Sequence, residues 1–164
     1  MIGRGLKAIA FWAFAVLSLP DYAQAETACA LDRLTIKDDS AQVAFTIELA
    51  DTAPARARGL MHRKSLAASQ AMLFVYERPG APAFWMRNTL IPLDMLFITP
   101  RGRVQHIHEN AIPHDETPIQ GGNGVLAVLE IRGGLAKTLK LAPGDIVQHP
   151  AFADYAPLWP CAAQ

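Results

Sequence analysis

The stretch from Phe84 to Phe97, Phe-Trp-Met-Arg-Asn-Thr-Leu-Ile-Pro-Leu-Asp-Met-Leu-Phe, decides how this chain is read. Aromatic residues open it and an apolar run closes it, which predicts two buried strands. Asn88, Thr89 and then Pro92 break it between them, and the second strand continues through Asp94 to Ile98. Polar groups in such company need partners, since burying an unpaired amide or hydroxyl costs roughly 2–7 kcal/mol. The stretch is therefore expected to form the centre of the core and of any binding site. Trp85 is expected as a large core side chain whose deletion would cost about 3–5 kcal/mol.

Outward from this centre the pattern is that of strands. Val43, Phe45, Ile47 and Leu49 alternate with Ala44, Thr46 and Glu48, the period of a strand with one buried face. Leu34 to Ile36, Ala71 to Tyr76, Val104 to Glu109, Val125 to Ile131 and Ile146 to His149 read as further strands. Pro100-Arg101-Gly102 marks a hairpin before Val104. Asp51-Thr52-Ala53-Pro54 supplies capping side chains and a first-turn proline, predicting a helix to about Met61. A second helix is expected from Leu135 to Leu141, and a functional loop from Asn110 to Gly124. Helices interrupt the strands without alternating with them, so the class is α+β, mainly β, with an antiparallel sheet or open barrel and two short helices.

The first 25 residues read as a secretory signal peptide: Arg4 and Lys7, an apolar run from Ala8 to Leu19, Pro20, and small residues at Ala23 and Ala25. The apolar run is shorter than the roughly 20 residues of a membrane span. Cleavage after Ala25 leaves residues 26–164 as one domain, in the periplasm or secreted and with no membrane anchor. Without Arg4, Lys7 and Asp21, the 15 basic and 15 acidic side chains become 13 and 14. No overall field then draws the protein to nucleic acid. Cys29 and Cys161 both survive cleavage, and an even pair in an exported protein reads as a disulfide. A redox thiol pair is the competing reading, but neither cysteine belongs to a Cys-x-x-Cys motif or adjoins a basic residue.

Several motifs together resemble the domain of unknown function 192 family. They are Arg56-x-x-Gly59-Leu60-Met61-x-Arg63, Met72-Leu73-Phe74, Trp85-Met86-x-Asn88-Thr89-x-x-Pro92-Leu93-Asp94, Leu129-Glu130 with Gly134, and Gly144-Asp145. The resemblance covers about Val43 to Val147. Ala71 departs from it, standing where the family usually has glycine. The resemblance implies a mainly β domain that is often exported, and it implies no established activity.

Familiar chemistries find little support. Ser40, Ser65 and Ser69 lack a nucleophile elbow, and Ile112 stands where a zinc-protease motif beginning at His108 needs its second histidine. His106 and His108 share a strand face that His114 could approach, which makes them weak metal candidates beside the plainer reading of a polar face. Met61, Met72, Met86 and Met95 suit core filling better than copper. No cofactor is expected. Asp94 and Glu130 are either structural acceptors or a carboxylate pair for acid–base work.

Three functions remain. The first is an exported domain that binds a small anionic or polar ligand, or acts as an accessory factor, with Arg58, Trp85, Met86, Asn88, Asp94 and Glu130 as ligand-binding candidates. The others are an enzyme of unknown reaction using Asp94 and Glu130, and an interaction module that takes another exported protein as partner. In the first, the basic cluster Arg56, Arg58 and Arg63 brings positive charge to the rim, Trp85 is an apolar wall and Asn88 orients the ligand.

Overall fold

A computed structural model describes residues 29–162, so the expected signal peptide lies outside the described residues. The alternating segment forms β2 (Gln42–Ala50), paired antiparallel with β1 (Arg33–Lys37). Phe45 and Ile47 are buried while Thr46 and Glu48 face out, as the period of two requires. A crossover through helix α1 (Ala53–Arg58) then delivers β3 (Gln70–Gly80) parallel to β2. This parallel pair makes a sheet that is otherwise antiparallel, as expected, mixed. A helical crossover permits parallel neighbours, which a tight hairpin cannot.

Helix α1 is capped at Thr52, whose Oγ1 accepts from the Ala55 N–H, and it stops at Arg58 rather than Met61. Gly59 ends it, with φ of 47° and its N–H returned to the Ala55 carbonyl. A Cβ at Gly59 would also stand 3.1 Å from Cζ of Phe74, so a side chain here would press on the neighbouring ring.

The central stretch departs from the expected pair of full strands. Its first half contributes only β4 (Ala83–Phe84), and residues 85–92 are turn and loop before β5 (Leu93–Ile98). Asn88 adopts a left-handed conformation, φ 55°, which ends extended structure there. β5 turns at Gly102 into β6 (Val104–Ala111), the predicted hairpin. Within the expected loop, β7 (Ile119–Gln120) pairs with β4. Gly121 follows because Phe97 leaves no room for a Cβ, which would lie 1.9 Å from the ring.

β8 (Val125–Arg132) is buried along nearly its whole length and lies between β3 and β5. Helix α2 (Leu135–Leu139) and β9 (Ile146–Gln148) follow. The large sheet runs β6-β5-β8-β3-β2-β1-β9. Its two edges approach through a bridge between Arg103 and Ile146, giving a curled half-barrel. Phe152, in the 3-10 turn Pro150–Tyr155, is fully buried, and Trp159 lies under the Lys37 ammonium. The tail lies against the body as expected, and Cys161 is bonded to Cys29.

Two cores result, one on each face of this sheet. The concave core takes Leu34, Phe45, Leu73, Leu96, Leu129 and Phe152 among others. Ala71 belongs to it at 1% exposure, so its methyl group is absorbed by the core. The outer face of β3, β8 and β5 carries Met72, Phe74, Val128, Met95 and Phe97, covered by Leu60, Leu66 and Met86. A cavity opens on this outer face.

Candidate functional site

Alternation along β8 decides what each side chain can do. Glu130 lies opposite Met72 on β3 and Met95 on β5, both in the outer core. Asp94 lies opposite Ile131, a residue of the concave core. Paired residues share a face and successive residues change face, so Asp94 and Glu130 point to opposite sides of the sheet. Asp94 and Glu130 therefore form no carboxylate pair.

Asp94 is a structural acceptor. Its Oδ1 accepts from the N–H groups of Asn110 at 2.7 Å and Gly134 at 2.9 Å, and its Oδ2 from Ala136 at 2.7 Å. It is fully buried, and it ties β6 and the start of α2 to β5.

Glu130 has no such partners. It is 4% exposed and faces a cavity of about 310 Å³. Desolvation alone pushes its carboxyl from 4.5 up to about 8, with no hydrogen bond or neighbouring charge to offset it. The group is therefore mostly protonated at neutral pH. Phe74, Tyr76, Phe84 and Trp85 line the same cavity, with Arg58 exposed at its edge. Phe84 meets Phe74 edge to face, with ring centroids 5.1 Å apart. Burial raises the Tyr76 hydroxyl above its ordinary value, the Arg56 guanidinium opposes that shift, and Glu130 adds to it.

Of the six ligand-binding candidates, three converge here: Arg58, Trp85 and Glu130. Trp85 is half exposed and forms part of the cavity wall, which overturns the expectation that it fills the core. Met86 is fully buried in the outer core. Its N–H donates to Asp115 and its carbonyl accepts from Thr89 and His114, so its backbone clamps two loops together. Asn88 is a turn residue: its carbonyl accepts from the His62 N–H, and its Nδ2 lies 4.0 Å from the Met61 sulfur.

The basic cluster divides as well. Arg56 donates to the Asp51 and Val75 carbonyls and pairs with Glu77 at 2.8 Å, over the Tyr76 ring. Arg63 pairs with Glu48. Arg58 has no ion pair among the described residues. His106 tilts against Phe97, His114 is pinned through its backbone to Met86 and Thr89, and no group of three or more potential metal ligands occurs among the described residues. Sequence reasoning missed Tyr76 and Phe84 as lining residues. The signal for Tyr76 was the even spacing of Met72, Phe74 and Tyr76 on β3, which puts it on the face that Glu130 shares.

A curled, mainly β half-barrel with an open cavity on its outer face is thus the class of protein that fold and site define. The chain belongs to the DUF192 family, described as Uncharacterized ACR, which it matches over residues 34–149. A protein of unknown function from Novosphingobium aromaticivorans DSM 12444 is 45% identical, with a TM-score of 0.69, over 70% of this chain and 82% of that one. A protein described as a "putative transcription regulator" from Sinorhizobium meliloti 1021 is 38% identical, with a TM-score of 0.72, over 77% of this chain and 98% of that one. No curated protein matches the chain. Among the described residues no helix is long and apolar enough to cross a membrane.

Proposed function

We propose that this protein is exported, loses residues 1–25, and binds a small anionic ligand in the cavity between α1, β3, β4 and β8. The observation that carries this reading is Glu130: a carboxyl group 4% exposed, lacking hydrogen-bond or charge compensation, on the wall of an open cavity. A carboxyl group whose charged form is disfavoured by burial, and whose oxygens reach solvent only through a cleft, is a functional-site candidate. Its protonated form donates a hydrogen bond, and Arg58 supplies a positive charge at the edge. Aromatic walls with a few polar groups are the common make-up of a small-molecule site, and the volume falls at the small end of such sites.

The Cys29–Cys161 bond supports export, since disulfides persist in oxidising compartments. The transcription-regulator description is not carried over to this chain. Its mature charge is nearly balanced, and the α-helices among the described residues span only 6 and 5 residues. The enzyme reading loses its acid–base pair because the sheet separates Asp94 from Glu130.

A thermal-shift screen of small metabolites tests the proposal. Anionic compounds should raise the melting temperature, and Arg58→Ala should abolish the rise while Arg87→Ala, which changes a residue outside the cavity lining, leaves it intact. Anionic hits that survive Arg58→Ala would overturn the assignment of this cavity.

A further inference from the structure

The cavity changes electrostatic character with depth. At its buried end Glu130 sits beside the apolar rings of Phe74 and Phe84 with no cation paired to it among the described residues, and the Tyr76 ring there is already covered by the Arg56 guanidinium. At its exposed edge Arg58 is the cation without an ion pair, because Arg56 beside it is committed to Glu77 and to two carbonyls. A plain carboxylate meets the charge of Arg58 but offers Glu130 no cation to pair with. We propose that the ligand is a small zwitterion of the amino-acid class, its ammonium group against Glu130 and its carboxylate against Arg58. An apolar side chain then lies on Trp85 and Phe84. The inference rests on the cavity being an anion-binding site, as proposed above, and adds the identity of the ligand's buried end.

The proton balance follows from this placement. An ammonium group beside Glu130 favours the ionised carboxyl, so the proton held there in the empty cavity leaves to solvent as the ligand enters. The other ionisable groups around Glu130 are Tyr76 and Glu77 on β3 and Arg56 and Arg58 on α1. β4 and β5 present the uncharged Phe84 and Met95. Binding at pH 7 therefore releases protons, whereas a ligand lacking the amine keeps Glu130 protonated.

Titration calorimetry on the disulfide-bonded mature protein, in two buffers of different ionisation enthalpy, reads both affinity and proton exchange. The probes are leucine, methionine and phenylalanine, each beside its deaminated acid. At least one amino acid should bind about tenfold or more tightly than its deaminated partner, with proton release. Glu130→Gln should remove both the preference and the release, and Arg58→Ala should weaken the amino acid and the acid alike. Equal binding of the two members of each pair, both lost in Arg58→Ala, would overturn the zwitterion and leave the anion site standing. Absence of binding by either member of every pair would overturn the zwitterion, and if the metabolite screen also yields no anionic hit, the anion site falls with it.

Discussion

Asp94 and Glu130 occupy neighbouring strands one register step apart, and the sheet lies between their carboxyl groups. On the concave side Asp94 is saturated by three backbone N–H groups. On the outer side Glu130 has no hydrogen-bond partner or neighbouring charge to offset its burial and faces an open cavity. One acid therefore holds the fold together, and the other is kept at a cost in stability, as groups reserved for function often are.

This division predicts an order of damage. Asp94→Asn leaves one oxygen to accept where two served and turns an amide N–H toward a backbone donor. The expected loss is roughly 2–4 kcal/mol, from a broken charge-assisted bond and an unsatisfied buried group. Trp85→Ala removes a half-exposed ring and should cost less than about 1.5 kcal/mol. Urea melts of the two variants check this, and a larger loss for Trp85→Ala would mean that its ring supports the core.

Stability should fall as pH rises through the range in which Glu130 is ionised in the unfolded chain and protonated in the folded one. The unfolded value is near 4.5 and the folded value about 8, so the folded state holds the extra proton across that window. Below it the contribution is fully present; above it the loss is complete, on the order of 4–5 kcal/mol. Glu130→Gln should flatten this part of the pH profile and raise the melting temperature at pH 8. A profile unchanged by the substitution would show that the carboxyl is compensated in solution.

The bond between Cys29 and Cys161 joins residues 132 positions apart. In the chain-entropy model, closing a loop of that length contributes about 4–5 kcal/mol. Paired Cys29→Ala and Cys161→Ala substitutions should lower the denaturant midpoint without changing the native circular dichroism. Intact mass measurement on protein purified under oxidising conditions should find no free thiol, and two reactive thiols would refute the pairing.

Much of this was legible in one dimension. The period-two pattern from Val43 to Leu49, the Pro100-Arg101-Gly102 hairpin, the Thr52 cap and the family motifs depend on residues close in sequence. Local backbone preference and side-chain alternation are enough to write them. The Cys29–Cys161 pairing was legible too, because with two cysteines in a chain expected to be exported there is one way to join them.

What only the tertiary structure decided is which face each residue occupies and what covers it. Glu130 and Asp94 looked alike as acids in apolar strands, and the register of β5 on β8 made one a structural acceptor and the other an unpartnered cavity group. Trp85 and Met86 are adjacent in the chain, yet the turn at Asn88 and the loop held by Asp115 leave the ring half exposed and the thioether fully buried. Arg56 and Arg58 sit two apart on α1, and only the path of β3 beneath them assigned one to Glu77 and left the other at the cavity's edge. Register and cover are set by contacts between segments distant in sequence, and a one-residue change in either moves a side chain from one environment to its opposite.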